Sequence, residues 1–265
     1  MKIAIIGVGN LGLSIAKGII KSGLAEVLYL SDKYTDRLQQ FASEKVIITS
    51  DNIEAIDKSD IVIFSVQPAH IGAIMDEVKS NISSKHTVMS TIAGYSIDKM
   101  ATVLGQNIPI IRVMPNTAIS VGKSMTCLSS NKRGEKSIAI AKSIFDAVGH
   151  TLVIPEHQMQ AATVICASGT AFWMRLIRAT MQGAIQLGFE SQEAQQLAMY
   201  TCNGAAELLI ASGNHPEAEI DRVTTPAGCT IRGLNEMENQ GMSTALVQGI
   251  VASFEKISRI KEKQL

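Results

Sequence analysis

Two clusters in this chain have the residue types and spacing to do chemistry. Near the start, Gly7, Gly9 and Gly12 stand at G-x-G-x-x-G spacing. Far down the chain lies Thr224-Thr225-Pro226-Ala227-Gly228-Cys229-Thr230. The first is a pattern for a pyrophosphate: glycines let the backbone approach the anion, and a helix N-terminus beyond them offers unpaired N–H groups and the positive end of its dipole. It carries weight only where a strand leads in and a helix leads out. Both hold. Lys2 to Ile6 is an apolar, β-branched run, and Leu13, Ile15, Ala16, Ile19 and Ile20 recur at helical spacing. Gly7, Val8, Gly9, Asn10, Leu11 and Gly12 are therefore expected to hold a dinucleotide. In the second cluster Pro226 and Gly228 shape a tight loop before a helix whose apolar stripe is Ile231, Leu234 and Met237. Its N–H groups, with the hydroxyls of Thr225 and Thr230, suit a small carboxylate. Plain capping by threonine accounts for the hydroxyls equally well.

Asp32 follows the glycine turn by the interval at which an acid meets the ribose 2′-hydroxyl of NADH. Ser31, Lys33 and Arg37 surround it and suit the 2′-phosphate of NADPH, so the sequence leaves NADPH or NADH open. Asp32 is also a good N-cap for a following helix. Asn52 stands where a side-chain amide meets an adenosine, or where a helix begins.

These residues need a frame. Glu26–Leu30, Val46–Ile48, Asp60–Val66, Thr87–Ser90 and Ile108–Val113 read as strands, and Asp60–Val66 has the near-continuous apolar run of a central parallel strand. Helical patterns over Ala69–Val78, Ser96–Leu104 and Ser137–Val148 alternate with them, and His150–Ile154 reads as a last strand. Alternating elements predict an α/β fold with a Rossmann-like, doubly wound parallel sheet, whose ligands bind beyond the carboxyl ends of the strands. Those ends add Val66, Gln67, Pro68, Ala93, Gly94, Met114, Pro115 and Asn116 to the candidate site. Pro155 marks the expected boundary between a dinucleotide-binding domain, residues 1–154, and an all-helical domain, residues 155–265.

In the second half the period turns helical: Glu156–Leu187, with a break at Ser168-Gly169, then Ser191–Ala211, Cys229–Asn239, and Ser243 towards Lys263, with Gly213–Pro216 as a turn. Ala161–Leu187 is apolar on more than one face, which predicts burial all round and a partner subunit. No lysine lies between Lys142 and Lys256, so this domain has no lysine general acid for carbonyl reduction. His157 and His215 read as surface or capping residues.

Formal net charge is zero and the pI is about 7.0, which gives no basic footprint for nucleic acid or an anionic membrane. The four cysteines form no C-x-x-C pair, which argues against zinc and a disulfide framework. Met1-Lys2 running straight into a strand is expected to leave no signal peptide, and no apolar run reaches membrane-spanning length. A cytoplasmic protein is the expectation, with no metal.

The chain resembles the pyrroline-5-carboxylate reductase family over nearly its whole length. His215-Pro216 through Asp221-Arg222-Val223 to Thr224–Ile231 is similar to the family's H-P-x-x-L-x-D-x-V-x-[ST]-P-G-G-x-T. Arg112–Thr117 matches R-x-M-P-N-T, and Ala167–Phe172 resembles G-S-G-P-A-Y. Ile220 and Ala227 replace family residues with little apparent change of character. Thr170 stands for a usual proline, Gln67 for a frequent lysine, and Asp32 for Asn or Ser. The last two weaken the case for NADPH. The resemblance implies hydride transfer from NADPH or NADH to the C=N bond of 1-pyrroline-5-carboxylate, giving L-proline. It implies Thr230 on the ring nitrogen; Thr225 with the N–H groups of Gly228, Cys229 and Thr230 on the carboxylate; and Met114, Pro115 and Asn116 near the nicotinamide. It also implies a homodimer through the helical domain, often within a decamer. Alternatives are a related cyclic-imine reductase, a 2-keto or β-hydroxy acid reductase, and a non-catalytic NAD(P)-binding sensor.

Overall fold

The computed structural model describes residues 1–263. The chain forms two compact units, Met1–Ala167 and Ser168–Ile260.

The first unit is built on an eight-stranded sheet: β1 (Lys2–Ile6), β2 (Val27–Ser31), β3 (Val46–Thr49), β4 (Ile61–Phe64), β5 (Thr87–Ser90), β6 (Ile110–Met114), β7 (Ser124–Ser130) and β8 (Gly149–Val153). Their order is β3-β2-β1-β4-β5-β6-β7-β8. β1 to β6 are mutually parallel, so the expected Rossmann-like fold class stands. β7 pairs antiparallel with β6, and β8 runs parallel to β7. The strand order reverses between β1 and β4, which opens a crevice at the carboxyl ends of those two strands.

Five helices accompany the sheet: α1 (Asn10–Ser22), α2 (Asn52–Asp57), α3 (Ile71–Val78), α4 (Ile97–Leu104) and α5 (Ile138–Asp146). Two apolar layers result. Alternate residues of β1 divide between them: Ile3 and Ile5 pack with Ile15 and Ile19 of α1 and Phe145 of α5, while Ala4 and Ile6 pack with Phe64, Met75 and Met100. Period-two alternation across a strand makes this division.

α6 (Met159–Ala162) follows β8 and runs into a π-helical stretch, Thr163–Ser168. Here the domain boundary expected at Pro155 differs from the packing: the segment after Pro155 stays with the sheet. Glu156 Oε1 accepts the Ile97 N–H at 2.8 Å, and Met159 and Val164 are buried. The break expected at Ser168-Gly169 takes the form of that π-helical stretch.

The second unit is helical: α7 (Gly169–Gln186), α8 (Ser191–Ser212), α9 (Pro216–Val223), α10 (Cys229–Asn239) and α11 (Met242–Lys263). α7 turns into α8 through Gly188, whose φ of 100° suits glycine. α8 opens with a capping box between Glu190 and Glu193 and buries Ala194 and Ala198. α9 replaces part of what reads as loop: His215 caps it and Pro216 fills its first position, where proline's fixed φ is pre-set for a helix. The burial expected around Ala161–Leu187 is not met within one chain. Gly169 is the buried residue of α7, while Trp173 and Met174 are 59% and 62% exposed. Leu197, Tyr200, Leu208 and Ile210 of α8 are exposed as well. Among the described residues no helix is long and apolar enough to cross a membrane.

Candidate active site

At the crevice between β1 and β4 each glycine of the turn has its own task. Gly7 has φ 87°, and a Cβ there would strike Val66 Cγ1 and the Ser65 carbonyl, so it lets the loops after β1 and β4 touch. A Cβ on Gly12 would strike the Gly7 carbonyl, so it lets α1 sit against the turn. Gly9 has open space where its Cβ would be. The Leu13 N–H donates to the Gly9 carbonyl at 2.8 Å, which opens the helical ladder. The N–H groups of Asn10, Leu11 and Gly12 precede that bond and have no acceptor within the helix. Gly9 has no side chain to cap them and the first turn of α1 carries no acid. Such a terminus suits an anion. Ser65, whose carbonyl approaches Gly7, has its Oγ buried with no hydrogen-bond partner. The turn and this orphaned hydroxyl fit a dinucleotide. Ser65 escapes the sequence reading because one serine after an apolar strand looks like any strand end.

The remaining cofactor candidates lie at the same edge of the sheet. Asp32 Oδ2 accepts the Val8 N–H at 2.8 Å, and its Oδ1 accepts the Tyr34 N–H at 2.9 Å. The Asp32 carboxylate therefore ties the end of β2 to the glycine turn, and it does not cap a helix. Arg37 Nη2 donates to the Val8 carbonyl at 2.7 Å and stands 3.6 Å from Asp32 Oδ2. Ser31 is fully buried, and its hydroxyl donates to Asn52 Oδ1 at 2.7 Å. Asn52 begins α2, and its amide nitrogen reaches Glu77 at 3.3 Å. Lys33 is exposed, with its ammonium 5.6 Å from the Tyr34 ring centroid. Val66 is half-buried after β4, whereas Gln67 and Pro68 are exposed; Ala93 and Gly94 form an exposed turn after β5.

Met114 ends β6 half-buried opposite Cys127 of β7, and Pro115 is buried. Asn116 is committed to structure. Its Oδ1 accepts the Ala118 N–H at 3.0 Å and its Nδ2 donates to the Cys166 carbonyl at 3.1 Å. Arg112, two residues before Met114, pairs with Glu156 at 3.3 Å. Cys127 hydrogen-bonds Cys166, which lowers the Cys166 thiol to about 7 and, with burial, pushes Cys127 up.

In the helical unit the loop before α10 closes on itself. The Gly228 N–H donates to the Thr225 carbonyl at 2.9 Å, so it is not free for a carboxylate as expected. A Cβ on Gly228 would meet Thr225 Oγ1, so glycine lets the loop fold this tightly. Gly228 is the N-cap of α10, and no acid stands in the first turn. The N–H groups of Cys229 and Thr230 fall in that turn, which leaves them as donors. Thr225 and Cys229 are exposed and Thr230 half-buried. Ala227 has φ 56°, in the left-handed region that favours glycine.

A family model described as pyrroline-5-carboxylate reductase dimerisation matches residues 156–260. Another, described as NADP oxidoreductase, coenzyme F420-dependent, matches residues 2–94. The pyrroline-5-carboxylate reductase 2 of Dictyostelium discoideum is 38% identical over 97% of this chain and 92% of its own length. The chain belongs to the pyrroline-5-carboxylate reductase family. A second Dictyostelium discoideum member, reductase 1, is also 38% identical over 97% of this chain, but the match spans 49% of that longer protein. A solved pyrroline-5-carboxylate reductase from Coxiella burnetii has a TM-score of 0.92 at 26% identity and covers 97% of both chains. Set in this family, the arginine of the R-x-M-P-N-T segment serves here as an anchor, with Glu156 as its partner.

Proposed function

We propose that this protein reduces 1-pyrroline-5-carboxylate to L-proline with a reduced nicotinamide dinucleotide, as a homodimer. What carries the reading is a 38%-identical pyrroline-5-carboxylate reductase matched over nearly the full length of both chains. The glycine turn gives the sheet unit its part, to hold the pyrophosphate against the start of α1. When bound, the reduced nicotinamide supplies a hydride. The helical unit has the part of holding the substrate. The N–H groups of Cys229 and Thr230, with the Thr225 hydroxyl, bind the carboxylate, and the Thr230 hydroxyl bonds the ring nitrogen. An imine protonated in solution accepts hydride at its carbon without a strong protein acid, which agrees with a helical unit lacking lysine before Lys256. Catalysis then rests on holding two reactants in register.

The exposed apolar side chains of α7 and α8 support a homodimer through the helical unit. Light scattering separates a dimer from the decamer common in the family. Cysteines that form no disulfide among the described residues suit a cytoplasmic setting.

The test is initial-rate oxidation of NADH and NADPH on adding 1-pyrroline-5-carboxylate, piperideine-2-carboxylate and a panel of 2-keto acids. Turnover with the pyrroline well above the others is expected. Turnover with keto acids alone, or dinucleotide binding without oxidation by any imine, overturns the reading.

A further inference from the structure

We propose that the site selects NADH over NADPH, with Asp32 as the specificity-determining residue that accepts the 2′-hydroxyl of the adenosine ribose. The proposal rests on the reading of the glycine turn as a dinucleotide site. The sequence offers three groups for a 2′-phosphate, Ser31, Lys33 and Arg37, and one against it. The structure separates them. Ser31 is fully buried and its hydroxyl is spent on Asn52 at 2.7 Å. Lys33 holds its ammonium near the Tyr34 ring. Arg37 spends one donor on the Val8 carbonyl at 2.7 Å, and its guanidinium faces the Asp32 carboxylate at 3.6 Å.

The Asp32 carboxylate, by contrast, is fixed. Two backbone N–H groups, from Val8 and Tyr34, hold its two oxygens at 2.8 and 2.9 Å, and its side chain is only 14% exposed. An ionised carboxylate has about four lone-pair sites, so two remain for hydroxyl donors. A ribose diol supplies such donors. A 2′-phosphate supplies none and brings a charge of about −1.5 to −2 beside a carboxylate that cannot swing away without giving up both N–H bonds. The carboxylate also accepts the Val8 N–H of the glycine turn itself, so it stands directly against that turn.

The measurement is binding of each dinucleotide to the full chain, read by fluorescence of the reduced nicotinamide. Unmodified protein is expected to bind NADH about tenfold or more tightly than NADPH, the size of one charge-assisted hydrogen bond. The 2′-deoxy form of NADH is expected to lose about tenfold on the same protein, a test that needs no variant. Asp32→Asn and Asp32→Ser should narrow the preference by about tenfold, chiefly through tighter NADPH. Equal or tighter binding of NADPH by the unmodified protein overturns the proposal, as does 2′-deoxy-NADH binding as well as NADH. Variants that weaken both cofactors in parallel overturn it too, because Asp32 would then only prop the turn. Failure to turn over 1-pyrroline-5-carboxylate bears on the proposed reaction and leaves these binding ratios readable. NADPH preference with normal turnover strikes this proposal alone.

Discussion

The Arg112 guanidinium meets the Glu156 carboxylate at 3.3 Å, joining the end of β6 to the segment that leaves β8. The side chains are 12% and 27% exposed, so the pair is shielded from most of the solvent. Glu156 Oε1 also accepts the Ile97 N–H at the start of α4. One carboxylate thus fixes three elements, and its tie to Arg112 lies beside a position proposed for the site. Met114 follows Arg112 on the same strand, and the segment beginning at Glu156 carries the Cys166 carbonyl that Asn116 Nδ2 reaches.

Breaking this pair from one side should cost more than removing an exposed ion pair, because a shielded charge is left without its partner. Glu156→Ala is expected to lower stability by about 2 to 3 kcal/mol, below the full buried-pair figure because neither group is fully enclosed. Urea unfolding of Glu156→Ala, Arg112→Ala and the double variant measures it. The double variant should lose less than the sum of the singles. Strict additivity would mean that the two side chains do not act together.

Thr230 stands in the first turn of α10, with its N–H beyond the reach of the helical ladder. Thr230→Ala is expected to keep dinucleotide binding unchanged and to lower kcat by about tenfold to a thousandfold, the range for one oriented hydrogen bond at a reacting centre. Stopped-flow binding and steady-state rates separate the two effects. Unchanged turnover would remove Thr230 from the site, and equal loss of dinucleotide affinity would mean a change of fold.

Among the described residues Ala227 is the one non-glycine with positive φ, at 56°. A left-handed conformation costs an L-residue roughly 1 to 2 kcal/mol. Glycine relieves that strain but gives back part of the gain through the greater freedom of the unfolded chain. Ala227→Gly should therefore stabilise the protein by about 0.5 to 1 kcal/mol, read as a higher urea midpoint at unchanged slope. A lower midpoint would show that the loop holds Ala227 without strain.

Most of this architecture is legible in the sequence because it rests on local signals. The glycine turn, β1 to β6 and β8 follow from apolar runs, and α10 begins at Cys229 as the Pro-Ala-Gly loop before it predicts. β7 is not legible. Ser124-Met125-Thr126-Cys127-Leu128-Ser129-Ser130 buries hydroxyls that a hydropathy pattern counts as surface. They are tolerated because they bond each other and the loop: Ser124 Oγ lies 3.0 Å from Thr126 Oγ1 and accepts the Asn116 N–H. α9 is missed for a related reason, since Pro216–Val223 is rich in charge and buries no residue in the single chain. At the site, the sequence names Asp32, Ser31 and Asn116 but not what they hold. The Val8 N–H, the Asn52 amide and the Cys166 carbonyl become their partners only through tertiary structure.

Cys127 and Cys166 give the last expectation a definite sign. Cys127 is buried on β7 opposite Met114, and its side chain hydrogen-bonds Cys166. The bond favours the Cys166 thiolate and lowers its pKa to about 7. The same bond, then burial, pushes the Cys127 thiol up, so Cys127 stays protonated as the donor. Cys166 therefore loses its proton as pH rises through about 7, and its reaction with iodoacetamide should rise with a midpoint there. Its folded value lies below the unfolded one, so the stability it lends is complete above about 8.5 and fades as pH falls through the folded value. Alkylation followed residue by residue with mass spectrometry measures the midpoint. Cys127→Ala removes the donor and should return Cys166 towards the ordinary thiol range, whereas Cys127→Ser keeps a donor and should hold the midpoint low. An ordinary midpoint for Cys166 in the unmodified protein, or the same midpoint in all three proteins, would show that Cys127 does not govern it.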